Sequence, residues 1–252
     1  MPGKFTVVGV GPGDPELLTF KAARILREVQ CIFVPKGREE GASLALSIVQ
    51  KALAIDNKEI VELHFPMQKT RNSKVSGVRS EENNAVNTTE ELKAKWNAAV
   101  DSILERLEAG LDAAFITIGD PGIYSTFFYL YERLIGRMPS IRIEIVPGIS
   151  SINASAARAG ISLGLGDEKI AVLPANYPDS LEETLERFDT VVLMKVNKAF
   201  DAIKKALDGK RLAEKAVFVS RAGMEDERVI RNIRDVREED LNYFSLVIVR
   251  KR

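Results

Sequence analysis

Residues 7–19, VVGVGPGDPELLT, restrict the folds open to this chain more than any other stretch. A short apolar run rich in β-branched residues predicts a buried strand. Glycines at 9, 11 and 13 let backbone approach a ligand or another segment closely, and Asp14 with Pro15 marks a helix start. Strand, glycine loop and helix open an α/β domain. Spacing then removes two phosphate-binding readings. The dinucleotide fingerprint has glycines at one, three and six, but counting from Gly9 the sixth residue is Asp14, whose carboxylate would repel pyrophosphate. The nucleoside-triphosphate loop needs Lys and Ser or Thr after its last glycine, whereas Gly13 is followed by Asp14 and Pro15. Taken alone, the glycines then make a tight strand-to-helix turn.

Two further stretches repeat the pattern. AAFITI at 113–118 runs into GDPGIYST, and IEIV at 143–146 runs into PGISS. Three strands thus deliver loops of Gly, Pro, Ser and Asp at their C-terminal ends, where open parallel sheets bind ligands. In this order VGVGPGDPELLT, GDPGIYST and VPGISSINA resemble the three signatures of the tetrapyrrole (precorrin) methylases, which use S-adenosylmethionine. CIFVPKG after the first helix and LHFPM after the third strand are similar to one branch, the precorrin-2 / cobalt-factor-2 C20-methyltransferases of cobalamin synthesis.

The rest of the chain fits an α/β alternation. Leu18, Ala22, Ile25, Leu26 and Val29 recur at helical spacing and predict a helix over 15–30, followed by a strand over 31–34, a helix over 42–54 and a strand over 59–65. Residues 66–87 are polar and without period, and read as one long loop. Thr88 and Glu91 form a capping box for a helix carrying Leu92, Trp96, Ala99, Val100, Ile103 and Leu107 on one face. Strands over 113–118 and 141–146, with a helix over 124–135 between them, complete a parallel five-strand unit. A small-residue helix over 151–159 then leads to strands near 170–173, 191–195, 216–221, 228–233 and 245–250. Helices start at Ser180 and Asn197, and the last strands pair antiparallel. The expected fold is two α/β domains, 1–147 and 148–252, with a parallel N-terminal sheet and a mixed C-terminal one. The resemblance implies the same tetrapyrrole methylase fold.

By motif match, the resemblance implies that Gly119, Asp120, Ile123, Ser150 and Ser151 contact S-adenosylmethionine, with Met194, Ala222 and Ser245 at strand ends of the second domain. It assigns Gly11, Pro12, Gly13 and Asp14 to the tetrapyrrole substrate. The eight ring carboxylates call for basic partners, for which Lys36, Lys69 and Arg71 are candidates, with Lys74 and Arg79 beside them. Each residue also has a plain structural reading: Asp120 as a turn or capping residue, Ser150 and Ser151 as a helix cap, Ala222 and Gly223 as a hairpin turn, Met194 as core. The implied reaction is attack of an electron-rich meso carbon on a methyl group carried by a sulfonium. It demands alignment and exclusion of water more than a base. No catalytic residue is assigned. Tyr124 is a weak candidate, being either a substrate contact or the first core residue of its helix, and the lone His64 reads as structural.

Formal net charge is zero, so no global field recruits nucleic acid or an anionic membrane surface. The single cysteine, Cys31, lies in an apolar run and reads as a buried, inert thiol compatible with a reducing compartment. The apolar run after Lys4 is too short for a secretory core or a membrane span. A cytoplasmic protein is expected, with no bound metal because ligand-spaced Cys/His clusters are absent from the sequence. The resemblance implies a homodimer. Two other classes stay open: a same-fold methyltransferase on another precorrin or on a macromolecule (diphthamide or ribosomal RNA ribose), and a non-catalytic ligand-binding module.

Overall fold

The structure is a computed structural model that describes residues 1–36, 43–65, 82–175 and 181–251; of residues 82–89, 91 and 92 only the backbone is described. Lys69, Arg71, Lys74, Arg79 and Ser180 lie outside the described residues, as does the side chain of Leu92. The chain divides into two units. One comprises Met1–Gly11 and Pro15–Gly148, the other Pro12–Asp14 and Ile149–Arg252. Three residues of the opening loop therefore belong with the C-terminal half.

The first unit is built on five parallel strands, β1 (Phe5–Gly9), β2 (Cys31–Lys36), β3 (Glu59–His64), β4 (Ala113–Thr117) and β5 (Ile143–Val146), in the order β3-β2-β4-β1-β5. β1 and β4 are buried at every position, as two-sided cover requires. Two helices, α1 (Phe20–Glu28) and α2 (Leu44–Ala52), pack on one face against Val8, Ile32, Ala114 and Ile116. On the other, α3 (Glu82–Glu108) and α4 (Phe127–Arg137) pack against Phe5, Phe33 and Phe115. Even and odd strand residues thus serve different cores. The chain leaving β1 turns to α1 on one face, and the chain leaving the adjacent β4 turns to α4 on the other. This is the topological switch point at which such sheets open a crevice.

The second unit holds α5 (Ser151–Ala159) and five mixed strands: β6 (Ile170–Pro174), β7 (Thr190–Met194), β8 (Ala216–Ser220), β9 (Arg228–Ile230) and β10 (Ser245–Arg250), ordered β6-β7-β10-β8-β9. β6 and β7 are parallel, while β10 runs antiparallel to both neighbours and β9 antiparallel to β8. One face is covered by α6 (Leu181–Arg187) and α7 (Phe200–Gly209), with Phe200 packed edge-on to Phe218. Cys31 is fully buried, and burial pushes its thiol up to about 12. Among the described residues no helix is long and apolar enough to cross a membrane.

Several helix starts differ from expectation. Residues 15–17 form a 3₁₀ turn, and α1 begins at Phe20 because the Thr19 hydroxyl accepts from the Ala22 N–H at 3.2 Å. α3 starts at Glu82, so Thr88 is internal to it and the predicted capping box and the loop at 82–87 are both wrong. α4 begins at Phe127 behind Thr126, which leaves Tyr124 outside the helix. α7 follows Ala199 rather than Asn197, since residues 196–198 form their own 3₁₀ turn. At α1, α4 and α7 a local turn takes the first residues from the periodic pattern, whereas α3 extends further towards its N-terminus than the pattern suggests. Trp96 is half-buried as part of the core margin, stacked on Phe65 at 4.6 Å between ring centroids.

Candidate methyltransferase site

In the first unit the loops after β1, β4 and β5 meet over the switch point. Val10 donates to the Thr117 carbonyl at 2.9 Å, and Gly119 donates to the Gly11 carbonyl at 2.8 Å, a one-residue antiparallel bridge past the parallel ladder. Gly119 takes φ +71°, a conformation costly for residues with a Cβ. A Cβ on Gly9 would lie 2.6 Å from both the Gly119 carbonyl oxygen and the Gly148 nitrogen, and a Cβ on Gly148 would press on the same oxygen and lie 2.8 Å from the Gly9 carbonyl carbon. Three backbones therefore touch with no room for a side chain.

Asp120 fastens this junction. One carboxylate oxygen accepts from the Gly122 N–H at 2.7 Å and the other from the Gly148 N–H at 3.0 Å. The turn-residue reading is thus correct as far as it goes, with the addition that the same side chain ties the β4 loop to the β5 loop. Gly122 and Ile123 are exposed beside it, and Tyr124 follows at φ +54° with half its surface exposed. Burial of part of its ring pushes the Tyr124 phenol up, so it is protonated at neutral pH and suited to donating a hydrogen bond. A left-handed tyrosine is uncommon, which makes this position notable independently of any helix. Lys36 ends β2 on the same sheet edge, and its ammonium is 2.7 Å from the Glu62 carboxylate. His64 ends β3 and is exposed.

In the second unit Ser150 caps α5. Its Oγ accepts from the Asn153 N–H at 3.3 Å and lies 2.7 Å from Asn153 Oδ1. Ser151 is the first helical residue. Met194, Ser245 and the residues after Ser220 share one edge of the mixed sheet, because Leu246 pairs with Met194 and Ser245 with Ser220. The buried Ser245 hydroxyl donates to the Asn242 carbonyl at 2.6 Å. Ala222 and Gly223 lie in the hairpin between antiparallel β8 and β9, as the plain reading has it. Against this hairpin sits Pro12–Asp14: a Cβ on Gly13 would be 2.6 Å from Met224 Cγ and 3.0 Å from the Gly223 carbonyl carbon, and one on Gly223 2.9 Å from the Asp14 nitrogen.

The sequence picks thus fall into four groups. Gly11, Gly119 and Asp120 are joined in one unit, with Ile123 beside them. Pro12, Gly13, Asp14 and Ala222 are joined in the other. Ser150 and Ser151 share a helix start, and Met194 and Ser245 a sheet edge. Gly9 and Gly148 emerge as junction residues that the sequence reading named only within motifs; the recurrence of glycine at three strand ends was the available signal. Arg158 and Glu227, described below, carried no motif signal. Among the described residues no group of three or more His, Cys, Asp or Glu side chains is placed to hold a metal ion.

A carboxylate at the centre of the β4 loop disfavours phosphate there. Comparison with known proteins gives the family. Residues 4–236 match the family described as Tetrapyrrole (Corrin/Porphyrin) Methylases. The chain is 35% identical over 254 residues to the cobalt-precorrin-2 C(20)-methyltransferase of Salmonella typhimurium, covering 100% of this chain and 98% of that protein. It is 38% identical to the probable cobalt-precorrin-2 C(20)-methyltransferase of Methanocaldococcus jannaschii, covering 97% and 94%. Among solved structures, a cobalt precorrin-4 methyltransferase of cobalamin biosynthesis superposes with a TM-score of 0.72 at 19% identity, covering 98% of this chain and 94% of the other. A uroporphyrin-III C-methyltransferase of Thermus thermophilus, solved with S-adenosylhomocysteine, gives 0.64 at 23%, covering 99% and 98%. These two structures share the fold, and the family match with the full-length relatives shows that this chain belongs to the tetrapyrrole methylases.

Proposed function

We propose that the chain transfers a methyl group from S-adenosylmethionine to C20 of a precorrin-2 ring in cobalamin biosynthesis. The full-length similarity to two C(20)-methyltransferases carries this reading. Both relatives bear cobalt-precorrin-2 names, which favours the cobalt-containing ring as the substrate.

S-adenosylmethionine would supply a methyl group on a sulfonium, a leaving group needing no further activation. Transfer to C20 would form one carbon–carbon bond as the carbon–sulfur bond breaks to give a neutral thioether, with the ring proton passing to solvent. The protein's tasks are alignment and exclusion of water. In our proposal Gly119, Asp120, Ile123, Ser150, Ser151, Met194, Ala222 and Ser245 contact the methyl donor, chiefly through backbone groups. Asp120 does so indirectly, for both its oxygens already hold the loops in shape. Gly11, Pro12, Gly13 and Asp14 face the ring. Lys36 would meet a ring carboxylate by exchanging Glu62 for it. Lys69 and Arg71 stay proposed ring contacts from the sequence alone. In this reading Tyr124, with its phenol raised by burial, would donate a hydrogen bond rather than act as a base. A homodimer working in the cytoplasm completes the proposal, supported by the family resemblance.

The deciding experiment incubates the purified chain and S-adenosylmethionine with precorrin-2 and with cobalt-precorrin-2 in parallel, and follows each ring by mass spectrometry. One added methyl on C20, faster for the cobalt ring, is the expected result. A protein that binds the donor yet methylates neither ring would overturn the assignment.

A further inference from the structure

We propose that Arg158 and Glu227 are positioning residues that latch the Pro12–Asp14 loop onto the β8–β9 hairpin, and so set how that loop meets the ring. The inference rests on the methyltransferase reading for its functional half only.

The loop and the hairpin meet at Gly13 and Gly223, where Gly13 leaves room for the Met224 side chain and for the Gly223 backbone. Apolar packing of this kind has little directional preference, and the charged groups around the contact are arranged to add one. Arg158 stands on the last turn of α5 and donates through Nε to a Glu227 oxygen at 3.0 Å. The same oxygen accepts from the Gly223 N–H at 2.6 Å. The other end of the Arg158 guanidinium is 4.0 Å from the Asp14 carboxylate. One arginine therefore spans an anion of the hairpin and an anion of the loop. Without it Asp14 and Glu227 would be two carboxylates facing a shared space.

The hairpin is a firm anchor for this purpose. Met224 N–H donates to Arg221 at 2.9 Å and Glu227 N–H to Met224 at 3.1 Å, while Arg221 pairs with Asp226 at 2.6 Å. Gly223 holds φ +80°, which frees its N–H to point at Glu227. With the hairpin held by its own bonds, the latch acts on the loop, whose residues 12–14 are the proposed ring contacts. Loss of the latch is expected to weaken ring binding while sparing the transfer step once the ring is bound.

The test uses the full chain with Arg158→Gln, Glu227→Gln, their combination, and Arg158→Lys. Glu227→Gln keeps an acceptor for Gly223, so the hairpin stays folded. Each Gln variant is expected to raise KM for the ring roughly two- to fivefold, the range open to an exposed ion pair, with kcat little changed. The combined variant should be no worse than the poorer single one, because both remove one connection. Arg158→Lys, which keeps the charge but has one nitrogen where the guanidinium uses two, should recover only part of the loss. Amide exchange at Gly13, Asp14 and Gly223, read without substrate, should quicken in the Gln variants. Unchanged exchange together with unchanged KM, or strictly additive losses, would overturn the latch. A wild-type chain that methylates neither ring would instead remove the methyltransferase reading, and the exchange data alone would then decide whether the latch exists.

Discussion

The glycine junction of the first unit and the glycine contact of the second solve one problem in opposite ways. Both use glycine to let another segment approach where a Cβ would stand. Around Gly9, Gly119 and Gly148 the alignment is set by backbone hydrogen bonds and by one aspartate whose two oxygens are both satisfied. Around Gly13 and Gly223 it is set by Arg158, which is half exposed and shared between two carboxylates. A backbone-held contact is rigid, insensitive to salt and intolerant of change. A charge-held contact is adjustable, screened by salt and worth little to stability. The first suits a fixed seat, the second a loop that must accept a ligand.

The largest way to break this contrast is a methyl group at the junction. Gly148→Ala places a Cβ against the Gly119 carbonyl and the Gly9 backbone, none of which can yield as a flexible side chain would. It should lower stability by about 3 kcal/mol, seen as a lower denaturant midpoint at unchanged slope. A loss under about 0.5 kcal/mol would show that the loops have slack, and the contrast would fail.

Next is Asp120→Asn. The amide has one acceptor oxygen where the carboxylate has two, so either Gly122 or Gly148 loses its partner. A destabilisation of about 1–2 kcal/mol is expected, together with weaker S-adenosylmethionine binding by calorimetry. Unchanged stability with lost binding would move Asp120 from scaffold to direct ligand contact.

The smallest effect sharpens the comparison from the other side, with a charge-held contact in the first unit. Glu144 on β5 accepts hydrogen bonds from Lys21 and Lys4, which hold its carboxyl down to about 2. Because the folded value lies below the ordinary one, the group contributes stability at neutral pH, and loses it as pH falls from about 4.5 towards 2. Exposure of the partners limits the gain to about 1 kcal/mol or less. Wild type should exceed Glu144→Gln by that amount at pH 7 and match it near pH 2 in thermal unfolding. A gap that persists at low pH would mean that Glu144 acts through packing.

Much of the fold was legible because it depends on local pattern. The buried runs of β1 and β4 and the small-residue α5, with Ser150 ahead of it, follow from periodicity and capping chemistry. The placement of β4 between β1 and β2 did not, since pairing Phe5 with Ala113 is a long-range choice that local text does not encode. Ser150 teaches a further point. Its hydroxyl caps α5, so replacing Ser150 and Ser151 by valine would cost the helix about 0.5–2 kcal/mol as well as disturb any ligand there. Arg158 and Glu227 could not be found from sequence, being 69 positions apart with no motif around either.

The state of Cys31 has a practical side. It is the only cysteine in the chain and fully buried, and burial raises its thiol far above the ordinary range, which disfavours the reactive thiolate at neutral pH. The native protein is therefore nearly silent to maleimide reagents. A cysteine introduced at an exposed position such as Leu165, which is 63% exposed in the second unit, would take a single fluorophore or spin label without any need to remove the natural thiol.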